Sequence, residues 1–340
     1  MARYQLAAIT QWITEAATAH PHDLADHLMK RLAISRSSAL RLLQRLVASQ
    51  WLVREGTPRR PHHRPGLLRQ VVRRYALERL DEHGPWARDF APQLALGGNL
   101  ARLAQHVFTE LLNNAIDHSG GSSVTISMRQ TPAHLQLLVS DDGCGLFERI
   151  GSTFAIQDPT LAMLELSKGK LSSQPERHTG RGLFFASRIA DVLDLHANAR
   201  AFQHRRWQPN QWRSGRPATQ QGTSVFAAIA LDSTCDLDTL LRAHSADGQG
   251  YGFERTVVPM HLLADTPGGL ESRAQARHVA ARLAQFRCAE LDFQGIDHVG
   301  HSFADELFRV FGREYPALDL VAKNTTARVA AMLASVRPLG

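Results

Sequence analysis

The stretch from His106 to His118 constrains the fold of this chain most strongly, because three glycine-bearing motifs follow it. Its apolar residues recur at three- and four-residue spacing, which predicts an amphipathic helix. Glu110 and Asn114 lie four residues apart, so they project from the same side of that helix. An amide oxygen can bind Mg²⁺, and a carboxylate can take a proton from a neighbouring water. Taken alone, this pair also fits a solvated polar face, so the interpretation depends on the motifs that follow.

Each of the three motifs has a physical reason to lie beside a ligand. Glycines two residues apart after a strand let the backbone approach a ligand, and an adjacent aspartate can accept a hydrogen bond from an amino group. A glycine-rich turn that opens a helix favours an anion, because free N–H groups and the helix dipole point outward there. Each motif is a weak signal alone, but together and in this order they are a strong one. The motifs are Asp141-x-Gly143-x-Gly145, Gly180-Arg181-Gly182-Leu183 and Gly222-Thr223.

The helix and the motifs together resemble the GHKL ATP-binding fold, which gyrase, the large heat-shock chaperones, histidine kinases and mismatch-repair ATPases share. The resemblance covers residues 90–232 and implies a two-layer α/β sandwich that holds ATP beneath a mobile lid, at residues 146–177. It implies that Glu110 orients or deprotonates the attacking water, that Asn114 holds Mg²⁺, and that Asp141 accepts a hydrogen bond from the adenine amino group. The further nucleotide contacts that it implies are Gly143, Gly145, Lys168, Lys170, Arg177, Gly180, Arg181, Gly182, Leu183 and Thr223.

Other nucleotide motifs and other cell compartments are disfavoured by the sequence. It contains no G-x-x-x-x-G-K-[ST], which excludes a P-loop on pattern, and Phe185 stands where a Rossmann turn after Gly180 and Gly182 would need its third glycine. Three widely spaced cysteines without a C-x-x-C pair fit a reducing cytoplasm and argue against structural zinc. The sequence shows no secretory signal and no run of 18 apolar residues. We therefore expect a cytoplasmic protein with no membrane partner.

The basic excess of the chain is concentrated in its first quarter. Residues 1–80 carry 14 Lys and Arg against 5 Asp and Glu, a net charge of +9, whereas the whole chain carries +7. The remaining residues are therefore slightly acidic. Such a concentration of positive charge is typical of a module that binds a polyanion.

Local patterns in residues 1–68 resemble a winged helix-turn-helix of the bacterial-regulator kind. Helical periods predict a first helix over residues 4–17 and a short second one, and Ser35 is a good N-cap for a third. A short strand at residues 51–54 and a loop rich in Pro and Arg predict a basic wing. Such a third helix reads bases in the major groove while the wing contacts phosphates; a helical interaction domain with incidental charge is the alternative. The predicted DNA contacts are Arg36, Ser37, Ser38, Arg41, Arg45, Arg59, Arg60 and Arg64.

Residues 69–89 are predicted to form a linker that is helical over residues 69–82. We find no histidine in a paired-helix dimerisation segment of the kind that a sensor kinase phosphorylates. The missing segment disfavours a histidine-kinase role and leaves the ATP site intact.

Residues 250–340 alternate strands with helices, which predicts a small α/β domain with a mostly parallel sheet. This domain resembles the STAS-like modules that follow some GHKL ATPases and are related in architecture to anti-anti-sigma factors. In those factors a GHKL partner phosphorylates a serine at the start of a helix, and Ser302 lies near that position. The match is loose, so an N-cap role for Ser302 is favoured. The predicted strands are 257–263, 289–293 and 318–322, and the predicted helices are 272–286, 303–311 and 327–336.

The sequence therefore predicts a multidomain chain, with a winged helix, a two-layer GHKL sandwich and a small STAS-like domain. We expect a cytoplasmic, DNA-binding transcriptional regulator that binds ATP and Mg²⁺, hydrolyses ATP slowly and forms a homodimer, with a protein partner for the STAS-like domain as a further option. One alternative is a protein serine or histidine kinase of the anti-sigma or sensor type. Another is an ATP-gated clamp in DNA processing, but its transducer domain would not fit in the C-terminal 100 residues. The target DNA, the signal and the use made of ATP are left open.

Overall fold

The N-terminal helices pack around a hydrophobic core of their own, in which Ile13, Leu28 and Leu46 are fully buried. The computed structural model describes residues 6–172, 179–208, 211–218, 220–264 and 270–336. The single helix predicted over residues 4–17 is divided, because the chain turns at Gln11 between two short helices. The elements of this N-terminal module are α1 (Leu6–Thr10), α2 (Ile13–Ala19), α3 (Leu24–Leu32), α4 (Arg36–Ala48), β1 (Leu52–Thr57) and β2 (Arg60–Pro65).

Helix α4 begins at the serine that the sequence indicates. Ser35 Oγ accepts a hydrogen bond from the Ser38 amide nitrogen at 3.3 Å, which satisfies one free N–H of the first turn. Ala33 ends α3 in the left-handed region with φ 52°, so the chain turns sharply between the two helices. Strands β1 and β2 then form an antiparallel hairpin from Leu52 opposite Pro65 to Thr57 opposite Arg60. A helix, a turn, a helix and a hairpin therefore follow one another in the basic part of the chain.

A seven-stranded sheet lies at the centre of the chain, in the order β3-β4-β5-β9-β6-β7-β8, and each strand is antiparallel to its neighbours. Alternate residues of β4, such as Val124, Ile126 and Met128, are buried on one face. The strands are β3 (Arg69–Ala76), β4 (Ser123–Gln130), β5 (His134–Asp141), β6 (Val192–Ala197), β7 (Arg200–Arg205), β8 (Trp212–Ser214) and β9 (Thr223–Ala230).

Helices cover the buried face of this sheet, so the central domain has two layers, as predicted. The longest helix, α6, lies against β5, β9 and α9, and buries Leu103, Val107 and Leu111 at helical spacing. The helices are α5 (His83–Pro85), continued by a π-helical turn (Trp86–Phe90) and a 3-10 turn (Ala91–Gln93), then α6 (Gly98–His118), α7 (Leu146–Phe154), α8 (Pro159–Lys168), α9 (Gly182–Ile189) and α10 (Leu237–Ala243).

Strand β3 shows that the linking helix predicted over residues 69–82 is wrong. It pairs with β4 along its whole length, from Arg69 opposite Gln130 to Ala76 opposite Ser123. The adjacent valines Val71 and Val72 favour a strand. The pairing with β4, which lies about 50 residues later in the chain, makes this segment a strand and not a helix. The central sheet therefore begins at residue 69 rather than at the predicted domain boundary of residue 90.

The C-terminal domain has the predicted alternation of strands and helices around a parallel sheet of order β10-β11-β12. Ser272 and Gln275 form a capping box at the start of α12. The predicted N-cap role of Ser302 is wrong, because Gly300 is the N-cap of that helix and Ser302 is an exposed residue in its first turn. The elements are β10 (Arg255–Pro259), α11 (His261–Ala264), α12 (Arg273–Ala280), a 3-10 turn (Leu283–Gln285), β11 (Cys288–Asp292), α13 (His301–Ala304), a π-helical segment (Asp305–Phe311), α14 (Gly312–Glu314), β12 (Asp319–Lys323) and α15 (Ala327–Val336).

The central and C-terminal domains share one hydrophobic core. Phe253 joins them, because its ring lies 4.6 Å from Phe184, 5.3 Å from Phe185 and 5.4 Å from Phe286. The N-terminal module contacts the edge of the sheet instead, where the Gln70 amide donates to Thr14 Oγ1 at 3.0 Å. Within the described ranges, no helix is both long and apolar enough to cross a membrane.

Candidate functional site

A cavity of about 310 Å³ opens between α6, the end of β5, α7 and the start of α9. Its volume lies at the lower end of the range for small-molecule sites. Most of the residues that the sequence analysis assigns to a nucleotide site line its wall, although they come from segments far apart in the chain. These lining residues are Glu110, Asn114, Asp141, Gly145, Gly180, Arg181, Gly182, Leu183 and Thr223.

Asp141 is buried at the end of β5, where its carboxylate faces the cavity wall. Its Oδ1 accepts hydrogen bonds from the amide nitrogens of Gly143 at 2.9 Å and Thr223 at 3.1 Å. Burial raises the pKa of this carboxyl, and the two amide donors oppose the rise. Among the described residues no donor binds Oδ2, so that oxygen can accept a hydrogen bond from a ligand.

Gly222 allows the backbone before strand β9 to pack closely against Asp141 at the end of β5. Its φ is +90°, and a Cβ there would lie 2.2 Å from the Asp141 carbonyl oxygen. Only glycine fits such a close approach, which explains the Gly222-Thr223 motif through backbone packing. Thr223 then supplies the amide that binds Asp141, so the Gly222-Thr223 motif positions the aspartate of the Asp141-x-Gly143-x-Gly145 motif.

Gly143 does not line the cavity, and its predicted contact with the nucleotide stays a prediction. A Cβ at this position would lie 2.3 Å from the Ser119 carbonyl oxygen, so the glycine lets β5 approach the end of α6. Gly145 does line the cavity, with φ +91°. The two glycines of one motif thus serve different contacts, one within the protein and one at the cavity.

Glu110 and Asn114 lie one helical turn apart on α6 and face the same cavity, as the sequence predicts. Glu110 is half-buried, and a Cβ at Gly182 would lie 2.4 Å from its Oε2, so glycine allows the start of α9 to approach the carboxylate. No group of three His, Cys, Asp or Glu able to hold a metal occurs in the described residues. A Mg²⁺ beside Asn114 would therefore take most of its ligands from phosphate and water.

The predicted lysine contacts with phosphate do not fit the structure. Lys168 is 1% exposed and donates to Glu165 Oε1 and to the carbonyl oxygens of His278 and Ala281, both at 3.0 Å. Lys170 Nζ donates to the Gln285 carbonyl oxygen at 2.6 Å. Both amines bind the C-terminal domain, and neither residue lines the cavity. Arg177, the remaining cation of the predicted lid, lies outside the described residues.

Arg149 is a cavity cation that the sequence analysis missed. It lies in α7, lines the cavity, and donates from Nε to the His118 carbonyl oxygen at 2.8 Å. A signal was available, because Arg149 stands four residues after Gly145, one turn into a helix that the motif opens. Together with Arg181, it supplies positive charge to the wall of the cavity.

The predicted DNA contacts lie on the surface of the N-terminal module, on α4 and on the hairpin β1–β2. Arg36 pairs with Asp26 at 3.2 Å, and Arg64 pairs with Glu55, whose pKa is lowered mainly by that hydrogen bond. The Ser35 hydroxyl binds those of Ser37 and Ser38, so both serines belong to the helix cap. The predicted cations of this surface are all exposed: Arg36, Arg41 and Arg45 on α4, and Arg59, Arg60 and Arg64 on or beside the hairpin strands.

Two family models match the chain, and neither reaches the N-terminal module. Residues 99–233 match the family of histidine kinase-, DNA gyrase B-, and HSP90-like ATPases, and residues 275–330 match a STAS-like domain of unknown function. No curated protein matches the chain. The first match contains the whole cavity wall described above, which supports ATP binding there. The chain thus carries a GHKL-type ATPase domain followed by a STAS-like domain.

Proposed function

We propose that this protein is a DNA-binding transcriptional regulator that binds and slowly hydrolyses Mg-ATP, and whose nucleotide state controls its contact with DNA or with a partner. Strand β3 is the observation that carries the proposal. Three residues separate it from the end of the hairpin β1–β2 at Pro65, and it forms one edge of the sheet behind the cavity. Arg73 of this strand pairs with Glu15 of α2 at 2.6 Å. The basic module is thereby attached to the nucleotide-binding sheet without a flexible linker.

The residues of the cavity suit the parts of Mg-ATP. Asp141 Oδ2 would accept a hydrogen bond from the adenine amino group, and Asn114 would hold the Mg²⁺ that screens the phosphate charge. The free N–H groups at the start of α9, next to Arg181, would bind phosphate oxygens. Glu110 would take a proton from the attacking water.

The N-terminal module has the order and the exposed charge of a winged helix. Helix α4 would enter the major groove with Arg41 towards the base edges, and the tip of the hairpin would bring Arg59 and Arg60 to the phosphates. A single module of this size covers little DNA, so we expect a homodimer on two half-sites one helical turn or more apart.

We expect Asp141→Ala to lower ATP affinity about ten- to a hundredfold. A hydrogen bond to a charged group contributes roughly 1.5–3 kcal/mol, and the substitution removes the acceptor for the adenine amino group. Calorimetric titration with a non-hydrolysable ATP analogue measures the change. Asp142→Asn is the matched control, because that neighbouring carboxylate binds the amides of Ser122 and Ser123 and does not line the cavity. Parent-like binding by a folded Asp141→Ala protein would contradict the ATP site.

We expect the Arg59→Ala/Arg60→Ala protein to bind all DNA sequences more weakly and with less dependence on salt. Each phosphate contact contributes about −0.9 to the slope of log K against log salt concentration, so the slope should flatten by roughly 2. Fluorescence anisotropy with a duplex selected from a random pool gives this slope. The Arg213→Ala/Arg216→Ala protein, which loses the same charge from exposed positions of the central domain, should keep the parent slope. An unchanged slope in the hairpin variant would favour the kinase alternative.

A kinase of the anti-sigma or sensor type is the second candidate, and exposed Ser302 in the first turn of α13 is the feature that favours it. Binding to the selected duplex in the presence of ADP, ATP and a non-hydrolysable ATP analogue separates the two. A regulator should show affinities that depend on the nucleotide. A kinase should instead transfer radiolabelled phosphate to a protein, and its DNA affinity should not follow the nucleotide.

A further inference from the structure

Residues 159–172, which we call the lid segment, lie between the cavity and the C-terminal domain. It comprises α8 and the chain that follows, and its Leu166, Leu171 and Ser172 line the cavity. Helix α8 packs against β10 and α11 of the C-terminal domain. The segment therefore has the cavity on one side and the C-terminal domain on the other.

Three hydrogen bonds hold the end of α8 to the C-terminal domain. Lys168 Nζ donates to the carbonyl oxygens of His278 and Ala281, at the end of α12, and Thr256 Oγ1 donates to the Lys168 carbonyl oxygen at 2.6 Å. A cation at the last carbonyls of a helix is favoured by the helix dipole. Leu171, which lines the cavity, follows three residues later, so these hydrogen bonds lie close to the cavity wall.

Arg282 of the C-terminal domain reaches this wall at three points. Its Nη2 donates to the Lys170 carbonyl oxygen, its Nε lies 3.6 Å from Glu165 Oε2, and its guanidinium lies 5.5 Å from the centre of the Phe154 ring. Phe154 itself lines the cavity, while Lys170 and Glu165 each precede a lining residue in the chain. One side chain thus contacts both ends of the wall that α7, α8 and the following chain form.

The contact between Arg282 and Glu165 is incomplete. Arg282 Nε and Glu165 Oε2 are buried, and neither atom has a hydrogen-bond partner in the described part of the chain. A shift that brings them to hydrogen-bond distance would form a charge-assisted bond and satisfy two buried polar atoms. A small movement of the lid segment towards Arg282 would therefore improve this contact.

We infer that Arg282 is a positioning residue for the nucleotide site, and that it couples nucleotide binding to the docking of the C-terminal domain. This inference rests on the proposed binding of ATP in the cavity. Arginine suits the role because its planar fork reaches a carbonyl, a carboxylate and a ring at once, which the single ammonium of lysine cannot do. Coupling is reciprocal, so nucleotide binding must tighten the C-terminal contact by the factor by which that contact tightens nucleotide binding.

The test compares Arg282→Ala and Arg282→Lys with Arg277→Ala in the full chain. Arg277 lies on α12 and binds Glu306 at 2.7 Å within the C-terminal domain, so its loss removes an equal charge without touching the lid segment. We expect Arg282→Ala to weaken binding of a non-hydrolysable ATP analogue about 5- to 150-fold, the usual range for coupled sites. Arg282→Lys should recover little of this loss, and Arg277→Ala should bind like the parent.

Hydrogen exchange supplies a readout that a merely structural role would not change. In the parent, the nucleotide analogue should slow amide exchange in α12 and the turn after it. In Arg282→Ala this nucleotide-dependent protection should disappear, while exchange in strand β11 without nucleotide stays as in the parent. If Arg282→Ala does not fold, Arg282→Lys keeps the charge and the stem and tests the same coupling.

Asp141→Ala, measured in parallel, distinguishes failure of the proposed coupling from failure of the proposed nucleotide site. Weakened binding in Asp141→Ala, together with parent-like affinity and protection in both Arg282 variants, would overturn the coupling and leave the nucleotide site in place. If Asp141→Ala also binds like the parent, the proposed nucleotide site itself is wrong.

Discussion

We expect Glu110→Gln to hydrolyse ATP more slowly than the parent by a factor on the order of 10²–10⁴, the usual contribution of a general base. Glutamine keeps the size and the hydrogen-bonding reach of glutamate, but it cannot accept a proton from water. The close approach of Gly182 to Glu110 should tolerate the isosteric change, so the cavity keeps its shape. Affinity for Mg-ATP should therefore stay within a few-fold of the parent value, roughly the effect of one neutral hydrogen bond.

Steady-state phosphate release, compared with calorimetric binding for the same preparation, measures this separation of turnover from affinity. Asn114→Ala is the informative companion, because loss of its amide oxygen should weaken the Mg²⁺-dependent part of binding first. Asn113→Ala, at a neighbouring position that also lines the cavity, shows what a mere loss of side-chain volume does. If Glu110→Gln and Asn114→Ala both hydrolyse ATP like the parent, the activity belongs to a contaminant or to another site.

Local spacing was enough to predict the part of the site that a single helix carries. Glu110 and Asn114 lie on one face because four residues make about one turn, whatever the rest of the chain does. The same holds for the Ser35 cap, which binds an amide only three residues away. Such predictions are reliable because the interacting residues lie within one turn of the same helix.

The glycine motifs correctly predict that another group packs closely against the backbone, but they do not show whether that group is protein or ligand. The sequence shows that backbone or ligand must pass near Gly143 and Gly145, but it does not distinguish between them. In the structure, the carbonyl of Ser119 occupies the space beside Gly143, and only Gly145 faces the cavity. A glycine motif therefore predicts tight contact more securely than it predicts a ligand.

The failed predictions involve partners far away in the chain. The local sequence of strand β3 predicts a helix because its residues suit either structure, whereas the pairing with β4 makes it a strand. The sequence predicts that Lys168 and Lys170 contact phosphate because both lie within the predicted lid, but their acceptors, such as the Ala281 carbonyl, lie more than a hundred residues later. No local pattern contains that information.

The buried amine of Lys168 leads to the largest expected effect on stability. Its three donors have three acceptors: Glu165 Oε1 and the carbonyl oxygens of His278 and Ala281. Burial lowers the pKa of Lys168, and the Glu165 carboxylate opposes that change. The charged pair is therefore tolerated in the interior because each member compensates the other.

We expect Lys168→Met to destabilise the fused central and C-terminal domains by about 3–5 kcal/mol, the usual result of removing one partner of a buried ion pair. Methionine fills a similar volume, but it leaves the Glu165 carboxylate buried, with Arg282 Nε at 3.6 Å as the nearest described cation. Urea denaturation of the full chain measures the change, with the transition of these domains identified by its shift when a nucleotide analogue is added.

The double variant Lys168→Met/Glu165→Leu distinguishes a charge effect from simple loss of packing. If an uncompensated carboxylate causes the instability, removing that carboxylate as well should restore part of the loss, and the two substitutions should couple by about 0.5–3 kcal/mol. If the two losses add instead, the pair contributes only through packing.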